Sequence, residues 1–318
     1  MTSRDRGKSA ATKVSRRSRA ARGTARGGTR TSAFGVSARE SHDASEFYDS
    51  ALYSGLPKES DVGEAQEFPE ELRDRIICQD ARNLSQVPDN SVQLMVTSPP
   101  YNASKQYDEN LNLDTYLGLL RDVFSECYRV LAPGGRACIN VANLGRKPYI
   151  PLASFINQIM MDIGFLPRGE VIWNKSASAG VSCAWGSWKS ASNPILRDVH
   201  EYVLIFSKGK YKLHRSRAEK EDGRADTIGK EEFMEWTKSI WSFPTESARR
   251  VNHPAPFPVE LPRRCIELYT YAGDVVLDPF AGSGSSAVAA KRAGRHYIAF
   301  DIVQEYCDIA EQRIDDEN

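Results

Sequence analysis

Residues 75–318 alternate short apolar runs with longer stretches of helically spaced apolar positions, whereas the residues before them are polar and irregular. Runs at 76–78, 92–97, 137–141, 171–173, 202–206, 275–277 and 297–300 are each bounded by polar or turn-forming residues, and they predict seven strands. Between them, 113–131 carries apolar residues at helical spacing and is closed by Ala132-Pro133-Gly134-Gly135, a strong stop signal. Further helices are expected over 152–163, ended by Gly164, over 285–292, ended by Gly294, and over 304–314. Two stretches break the alternation and read as insertions beyond the sheet: 176–197, rich in Ser, Gly and Ala with Trp185 and Trp188, and the charged 208–250, with Trp236 and Trp241. No internal repeat or heptad is present.

The most informative break is Ser98-Pro99-Pro100-Tyr101, set at the end of the apolar run 92–97. Consecutive prolines cannot continue a strand ladder, so the chain must stop there and present a loop. A hydroxyl, two rigid carbonyl-bearing residues and an aromatic ring suit gripping a planar, amine-bearing ring such as an extruded nucleobase. Pro-Pro-Tyr also occurs in polyproline ligands and ordinary turns, so the motif needs company. It has it in the run 275–287, where Asp278-Pro279-Phe280-Ala281-Gly282-Ser283-Gly284 reads as a strand end and a glycine-rich turn opening a helix. Glycines let backbone approach a ligand closely, and a helix N-terminus offers free N–H groups to a carboxylate or phosphate.

With both motifs in this order, the chain resembles a beta-class DNA amino-methyltransferase, the N4-cytosine and N6-adenine type of restriction-modification systems, in which the catalytic motif precedes the cofactor motif. A third signature of that family is matched by Asn252-His253-Pro254-Ala255-Pro256-Phe257-Pro258-Val259-Glu260-Leu261, just before the cofactor strand. The resemblance runs from about Arg75 to the C-terminus. It implies a Rossmann-like α/β fold for S-adenosylmethionine-dependent methyl transfer, with a mostly parallel seven-stranded sheet, helices on both faces and a permuted motif order. It implies that Asp278, Pro279, Phe280, Gly282 and Gly284 cradle S-adenosylmethionine, that His253 helps enclose its methionine end, and that Asp80 faces its adenine amine. Asp301 ends the last apolar run, nineteen residues beyond Gly282, where a carboxylate can hydrogen-bond ribose hydroxyls. Ser98, Pro99, Pro100 and Tyr101 then form the catalytic loop. Lys175, after Trp173-Asn174, sits at a strand end that could approach the base.

The exocyclic amine of cytosine or adenine is a poor nucleophile because its lone pair is delocalised into the ring. Ser98 and the Pro99 carbonyl can accept hydrogen bonds from that amine and turn its lone pair toward the sulfonium methyl. Tyr101 would stack on the flipped base and offset the cost of unstacking. No covalent nucleophile or metal is required. Serine at the first motif position is commoner among the family's cytosine-N4 enzymes, and Asp or Asn among its adenine-N6 enzymes, so N4-cytosine is the expected target and adenine N6 the alternative.

At 318 residues the chain can bury a full core, and no run approaches the roughly 18–20 apolar residues that cross a bilayer. No membrane role and a cytoplasmic, prokaryotic location are expected. Six cysteines (Cys78, Cys127, Cys138, Cys183, Cys265, Cys307) lie far apart without a Cys-x-x-Cys pair, so no metal or disulfide framework is expected. The net charge of zero hides an asymmetry, because residues 1–40 hold eleven Lys or Arg and two acidic residues. Residues 1–45 are therefore expected to be a disordered basic tail, either a nonspecific DNA-phosphate binder or a solvated extension; its Arg- and Ser-rich start also fits a transit peptide. Residues 46–74 form an extension without readable role, with a short helix near 44–53, and 75–318 form the methyltransferase domain. Target recognition is placed at about 208–250, where Lys210, Lys212, His214, Arg215 and Arg217 could contact phosphate or base. The partner is double-stranded DNA, with a cognate restriction endonuclease acting separately; oligomeric state is open.

Other classes fit less well. Gly282-Ser-Gly284 followed by Asp301 also satisfies a dinucleotide fingerprint, but only seventeen residues follow Asp301, too few to complete a nicotinamide-binding sheet. Methylation of RNA, protein or a small molecule, and a noncatalytic DNA-binding role, remain as alternatives.

Overall fold

The computed structural model describes residues 48–101, 111–145, 147–175, 186–215, 219, 221, 223–245 and 258–317. The chain divides into two units, residues 1–56 and 57–318. In the first, the helix expected near 44–53 is, within the described residues, a 3₁₀ turn at Ala51–Tyr53. The second unit starts earlier than the boundary expected at residue 75. Its segment 57–74 is bound into the body: Phe68 is buried, the Asn90 side chain donates to the Val62 carbonyl, and Asp74 accepts from the Tyr297 backbone N–H.

The strands are β1 (Arg75–Cys78), β2 (Val92–Thr97), β3 (Leu131–Val141), β4 (Leu144–Gly145), β5 (Tyr149–Ile150), β6 (Phe165–Asn174), β7 (His200–Lys208), β8 (Ile240–Ser242), β9 (Val275–Asp278) and β10 (His296–Asp301). The helices are α1 (Leu113–Val130), α2 (Leu152–Ile163), α3 (Lys230–Trp236), α4 (Glu260–Tyr269), α5 (Ser285–Arg292) and α6 (Gln304–Asp315). Apart from the small β4–β5 pair, all strands among the described residues join one eight-stranded sheet in the order β1-β10-β9-β2-β3-β7-β6-β8. Every pairing in that sheet is parallel except those of β7, which runs against its neighbours. The last two strands in sequence thus insert between the first two, which is how a C-terminal glycine-rich turn comes to lie beside an N-terminal Pro-Pro loop.

Alternation along the strands divides the core between the two faces, as a period of two requires. Met95, Ile139 and Leu277 face α1 and α2, whereas Leu94, Val96 and Val276 face α4 and α5. Helix α1 owes its start to Asn112, whose side chain accepts the Thr115 N–H at 2.9 Å. It buries Leu120, Val123, Phe124 and Cys127 on one stripe, and burial of each large apolar side chain contributes roughly 1.5–3 kcal/mol.

Three expectations need correction. All seven expected strands are present, but the sheet has an eighth: Ile240–Ser242 pairs with Ile172–Asn174 and buries Trp241, so the charged stretch is not wholly outside the sheet. Ala132-Pro133-Gly134-Gly135 ends α1 as expected, but the strand expected from 137 already begins at Leu131. These residues form the bulged start of β3, where the register against β2 jumps between Val92 and Leu94. A β-carbon on Gly134 would collide with the Lys212 carbonyl, so glycine is required there. The third correction concerns DNA contacts. Because β7 is reversed, its end lies at the amino edge of the sheet, and the residues after it stay there. Arg136, near the start of β3, donates to the Tyr211 carbonyl, and Arg224 pairs with Asp274, just before β9, at 2.7 Å. Arg224 also reaches the His214 carbonyl, and Arg215 pairs with Asp226. Lys210, Lys212, His214 and Arg215 are therefore on the opposite edge from Ser98; Arg217 lies outside the described residues.

Candidate active site

Chain connections leave β9 toward β10 on one side and β2 toward β3 on the other, so the β9–β2 boundary is where the winding reverses. In open α/β sheets, ligands bind in the crevice beyond the carboxyl ends of the strands at such a point. Both motifs singled out in the sequence emerge there, Ser98 directly after β2 and Pro279 directly after β9.

A buried carboxylate joins them. Asp278, 1% exposed, accepts from the Thr97 hydroxyl at 2.6 Å, from the Ser286 hydroxyl at 2.5 Å and from the Phe280 N–H at 3.1 Å. Burial pushes its carboxyl up to about 6 in spite of these donors. One side chain thus ties the end of β2, the glycine-rich turn and the first turn of α5. The turn itself has left-handed backbone at Gly282 (φ 49°) and Gly284 (φ 76°), which favours glycine. Gly284 also packs so closely on α6 that a β-carbon would stand 2.8 Å from that of Ala310. Arg313 of α6 holds the turn from behind, donating to the Ser283 hydroxyl at 2.9 Å.

Asp301 faces the same turn from the end of β10. One carboxylate oxygen accepts the Gly282 N–H at 2.9 Å and the other the Val303 N–H at 3.0 Å, while burial raises its pKa. Each oxygen keeps a lone pair for a further donor. Asp80 stands beside it because Cys78 pairs with Asp301 and the Gln79 N–H bonds the Asp301 carbonyl. Its carboxylate is gripped by the Arg82 guanidinium at 2.6 Å, which holds its pKa below the usual range. Phe280 is half-buried against the core.

Across the crevice, the Pro100 carbonyl accepts from the Tyr116 hydroxyl of α1 at 2.6 Å, which anchors the loop. The Tyr101 phenol is turned inward. It accepts the Ala142 N–H at 3.3 Å and lies 3.5 Å from Glu201 Oε2. Burial, and secondarily the Glu201 charge, keep this phenol protonated by raising its pKa well above the ordinary value. Glu201 in turn accepts from Asn140 Nδ2 at 2.6 Å and from Lys175 Nζ at 2.6 Å. Asn140, 1% exposed, also stands 3.5 Å from Ser98 Oγ.

The structure thus brings Asp80, Ser98, Pro99, Pro100, Tyr101, Asp278, Pro279, Phe280, Gly282, Gly284 and Asp301 to one edge of the sheet; His253 lies outside the described residues. Sequence reasoning missed Asn140 and Glu201. A lone amide inside the apolar run Ala137-Cys138-Ile139-Asn140-Val141 was the available signal for the first, and an acid opening an apolar strand for the second.

Residues 92–312, from β2 into α6, match the model of the N6/N4 DNA methylase family. The chain is 30% identical over 272 residues to the Type II methyltransferase M.MthZI of Methanothermobacter thermautotrophicus, covering 76% of each protein. It is 32% identical over 280 residues to the Type II methyltransferase M.MjaI of Methanocaldococcus jannaschii, covering 76% of this chain and 90% of that one. Among solved structures it is similar to TTHA0409 of Thermus thermophilus, a candidate DNA modification methylase solved in complex with S-adenosyl-L-methionine. That similarity has a TM-score of 0.62 at 30% identity, covering 76% of this chain and 93% of the other.

Proposed function

This chain belongs to the N6/N4 DNA methylase family, and on that premise we propose that it methylates the exocyclic N4 amine of a cytosine flipped out of double-stranded DNA, with S-adenosylmethionine as methyl donor. Its role is that of the modification enzyme of a restriction-modification system, acting in the cytoplasm beside a separate cognate endonuclease. The observation that carries this reading is the Thr97–Asp278–Ser286 junction, which fixes a loop suited to an amine and a turn suited to a nucleoside against each other.

The residues fit S-adenosylmethionine. Left-handed glycines at 282 and 284 present bare backbone, and Asp301 retains lone pairs for ribose hydroxyls. Asp80, beside Asp301, is assigned the adenine amine by the resemblance, while Asp278 shapes the turn rather than touching the ligand, since its own contacts bury it. Bound there, the cofactor supplies an electrophilic methyl group. Ser98 Oγ and the Pro99 carbonyl accept from the target amine, localise its lone pair and aim it in line with that methyl, and positioning of this kind supplies most of the acceleration.

DNA is placed on the same carboxyl edge. Of the connection between β6 and β7, the described residues 186–199 form a tightly bonded loop leading into β7 at this edge, with the Ser187 N–H on the Asn193 carbonyl and the Ser187 hydroxyl on the Ser190 carbonyl. This loop exposes Trp188 and Leu196, and Lys189 lies 5.4 Å from the Trp188 ring centroid. An exposed aromatic with an adjoining cation suits contact with unstacked bases and phosphate.

Serine at position 98 supports cytosine. Adenine N6 is the second reading, because both bases present an amine beside a ring-nitrogen acceptor and the acceptors at Ser98 and Pro99 serve either. Incubating the protein with unmethylated genomic DNA and S-adenosylmethionine, then digesting to nucleosides for mass spectrometry, tests both. N4-methylcytosine is expected; N6-methyladenine would replace the base assignment, and absence of any methylated nucleoside would refute the reading.

A further inference from the structure

We infer that Leu196 is a wedge: when the target base turns out of the duplex toward Ser98, this side chain enters the stack and fills the place the base has left. The inference deepens the DNA-amine reading above and rests on it. Leu196 is 85% exposed, more than any other large apolar side chain among the described residues, and it belongs to neither apolar cluster of the core.

The backbone around it is shaped before DNA arrives. Gly186 forms a bridge with Pro194, the Ser187 N–H bonds the Asn193 carbonyl at 2.9 Å, and the Ser187 hydroxyl accepts the Asn193 N–H at 2.9 Å. These bonds close residues 186–194 on themselves. Ile195, partly buried, packs back onto the closed part: a β-carbon on Gly186 would stand 2.9 Å from Ile195 Cγ1 and collide with the Asn193 carbonyl. Leu196 is the next residue, and it is left to solvent.

The other end of the segment is fixed beside the catalytic loop. The Val199 carbonyl accepts the Lys175 N–H at 2.7 Å, and His200 pairs with Asn174. Glu201 then accepts from Asn140 Nδ2 at 2.6 Å, and that nitrogen stands 3.5 Å from Ser98 Oγ. Only five peptide steps separate Leu196 from Glu201, so their Cα atoms are at most about 18 Å apart. A duplex that delivers a base to Ser98 thus comes within reach of Leu196.

The chemistry of the vacancy suits this side chain. An extruded base leaves a gap between two apolar ring faces, and an aliphatic side chain fills it without needing a hydrogen bond. Exposed Lys189 and Arg197 on the same loop supply positive charge for the flanking phosphates. Trp188, with the Lys189 ammonium 5.4 Å from its ring centroid, is already engaged and suits an unstacked base face rather than the gap.

The test is single-turnover methyl transfer by the full chain. The sequence context that the wild type methylates in unmethylated genomic DNA is mapped first and built into two short duplexes, one fully paired and one with an abasic position opposite the target base. On the paired duplex Leu196→Ala should be slower than wild type by about 10- to 100-fold, the part of an unstacking cost that one inserted side chain can offset. Extrusion is easier opposite the abasic position, and there the variant should come within about threefold of wild type. Leu196→Met should keep most of the paired-duplex rate. S-adenosylmethionine affinity, measured by calorimetry, should be unchanged in both variants, because the exposed side chain supports no packing. A wild-type rate for Leu196→Ala on the paired duplex, an equal loss on both duplexes, or a loss that follows cofactor affinity would overturn the wedge. A wild type that methylates no DNA nucleoside would instead remove the DNA-amine reading, and the wedge with it.

Discussion

Asp278 does most to unite the site, and its chemistry makes a prediction of opposite sign for stability and for binding. Its carboxyl is pushed up to about 6 in the folded protein, above an ordinary value of 3.8. The folded state therefore holds this proton more tightly than the unfolded chain, so the group's contribution favours folding below pH 4 and is lost as pH rises from about 4 to about 6. Protonation, however, turns one of the acceptors for Thr97, Ser286 and the Phe280 N–H into a donor and loosens the turn. Cofactor affinity should fall as pH drops below about 6, and Asp278→Asn should abolish both pH dependences; calorimetry and denaturant melts from pH 4 to 7 would read them. Asp301 is different, since its side chain orders Gly282 and Val303 and retains capacity for ligand hydroxyls. Asp301→Ala should weaken S-adenosylmethionine binding about 10- to 100-fold, as loss of one or two hydrogen bonds to a charged group does, and change the rate at saturating cofactor much less.

At the scale of elements, the reversed strand β7 decides which segments can meet DNA. Alanine at Trp188 and Lys189, on the carboxyl edge, should weaken DNA affinity, while alanine at Lys210 and Lys212 should leave it within about twofold, as isolated solvated charges do; titration by fluorescence anisotropy distinguishes the two pairs. This is also where the sequence stops being legible. Strands such as Val92–Thr97 and Val275–Asp278 are plain because buried parallel strands are continuous apolar runs. The turn motifs are plain because proline and glycine have no substitute at those backbone positions. Strand β8 is hidden, since it spans three residues in a charged stretch. Nothing local in 202–206 states that its strand runs backwards, and so sequence reasoning puts 208–215 at the wrong edge. Asn140 and Glu201 are hidden for a related reason: a single polar residue acquires meaning only when its cross-sheet neighbours are known, and Asn140 meets Glu201 across the antiparallel β3–β7 pair.

For the whole molecule, the permuted order of motifs has a structural consequence: the two motif-bearing parts of the site come from residues 80–101 and 278–301, and the sheet joins them side by side. The basic residues 1–40 carry a surplus of nine positive charges. Deleting 1–45 should flatten the salt dependence of DNA binding while leaving cofactor affinity and the saturated rate intact, because phosphate neutralisation by counterion release is sequence-independent. Binding measured across a range of salt concentrations would show it, with an unchanged slope assigning the tail no DNA role. The division of labour between the two halves of the site is tested most directly by Ser98→Ala. Its transfer of a deuterated methyl group from S-adenosylmethionine to DNA should be measured in a single turnover, alongside its cofactor affinity. Near-normal affinity with transfer slowed about 100-fold or more is expected of a group that stabilises the reacting amine. Transfer at the wild-type rate, or loss of cofactor binding in proportion, would contradict the placement of the chemistry at the Ser98–Tyr101 loop.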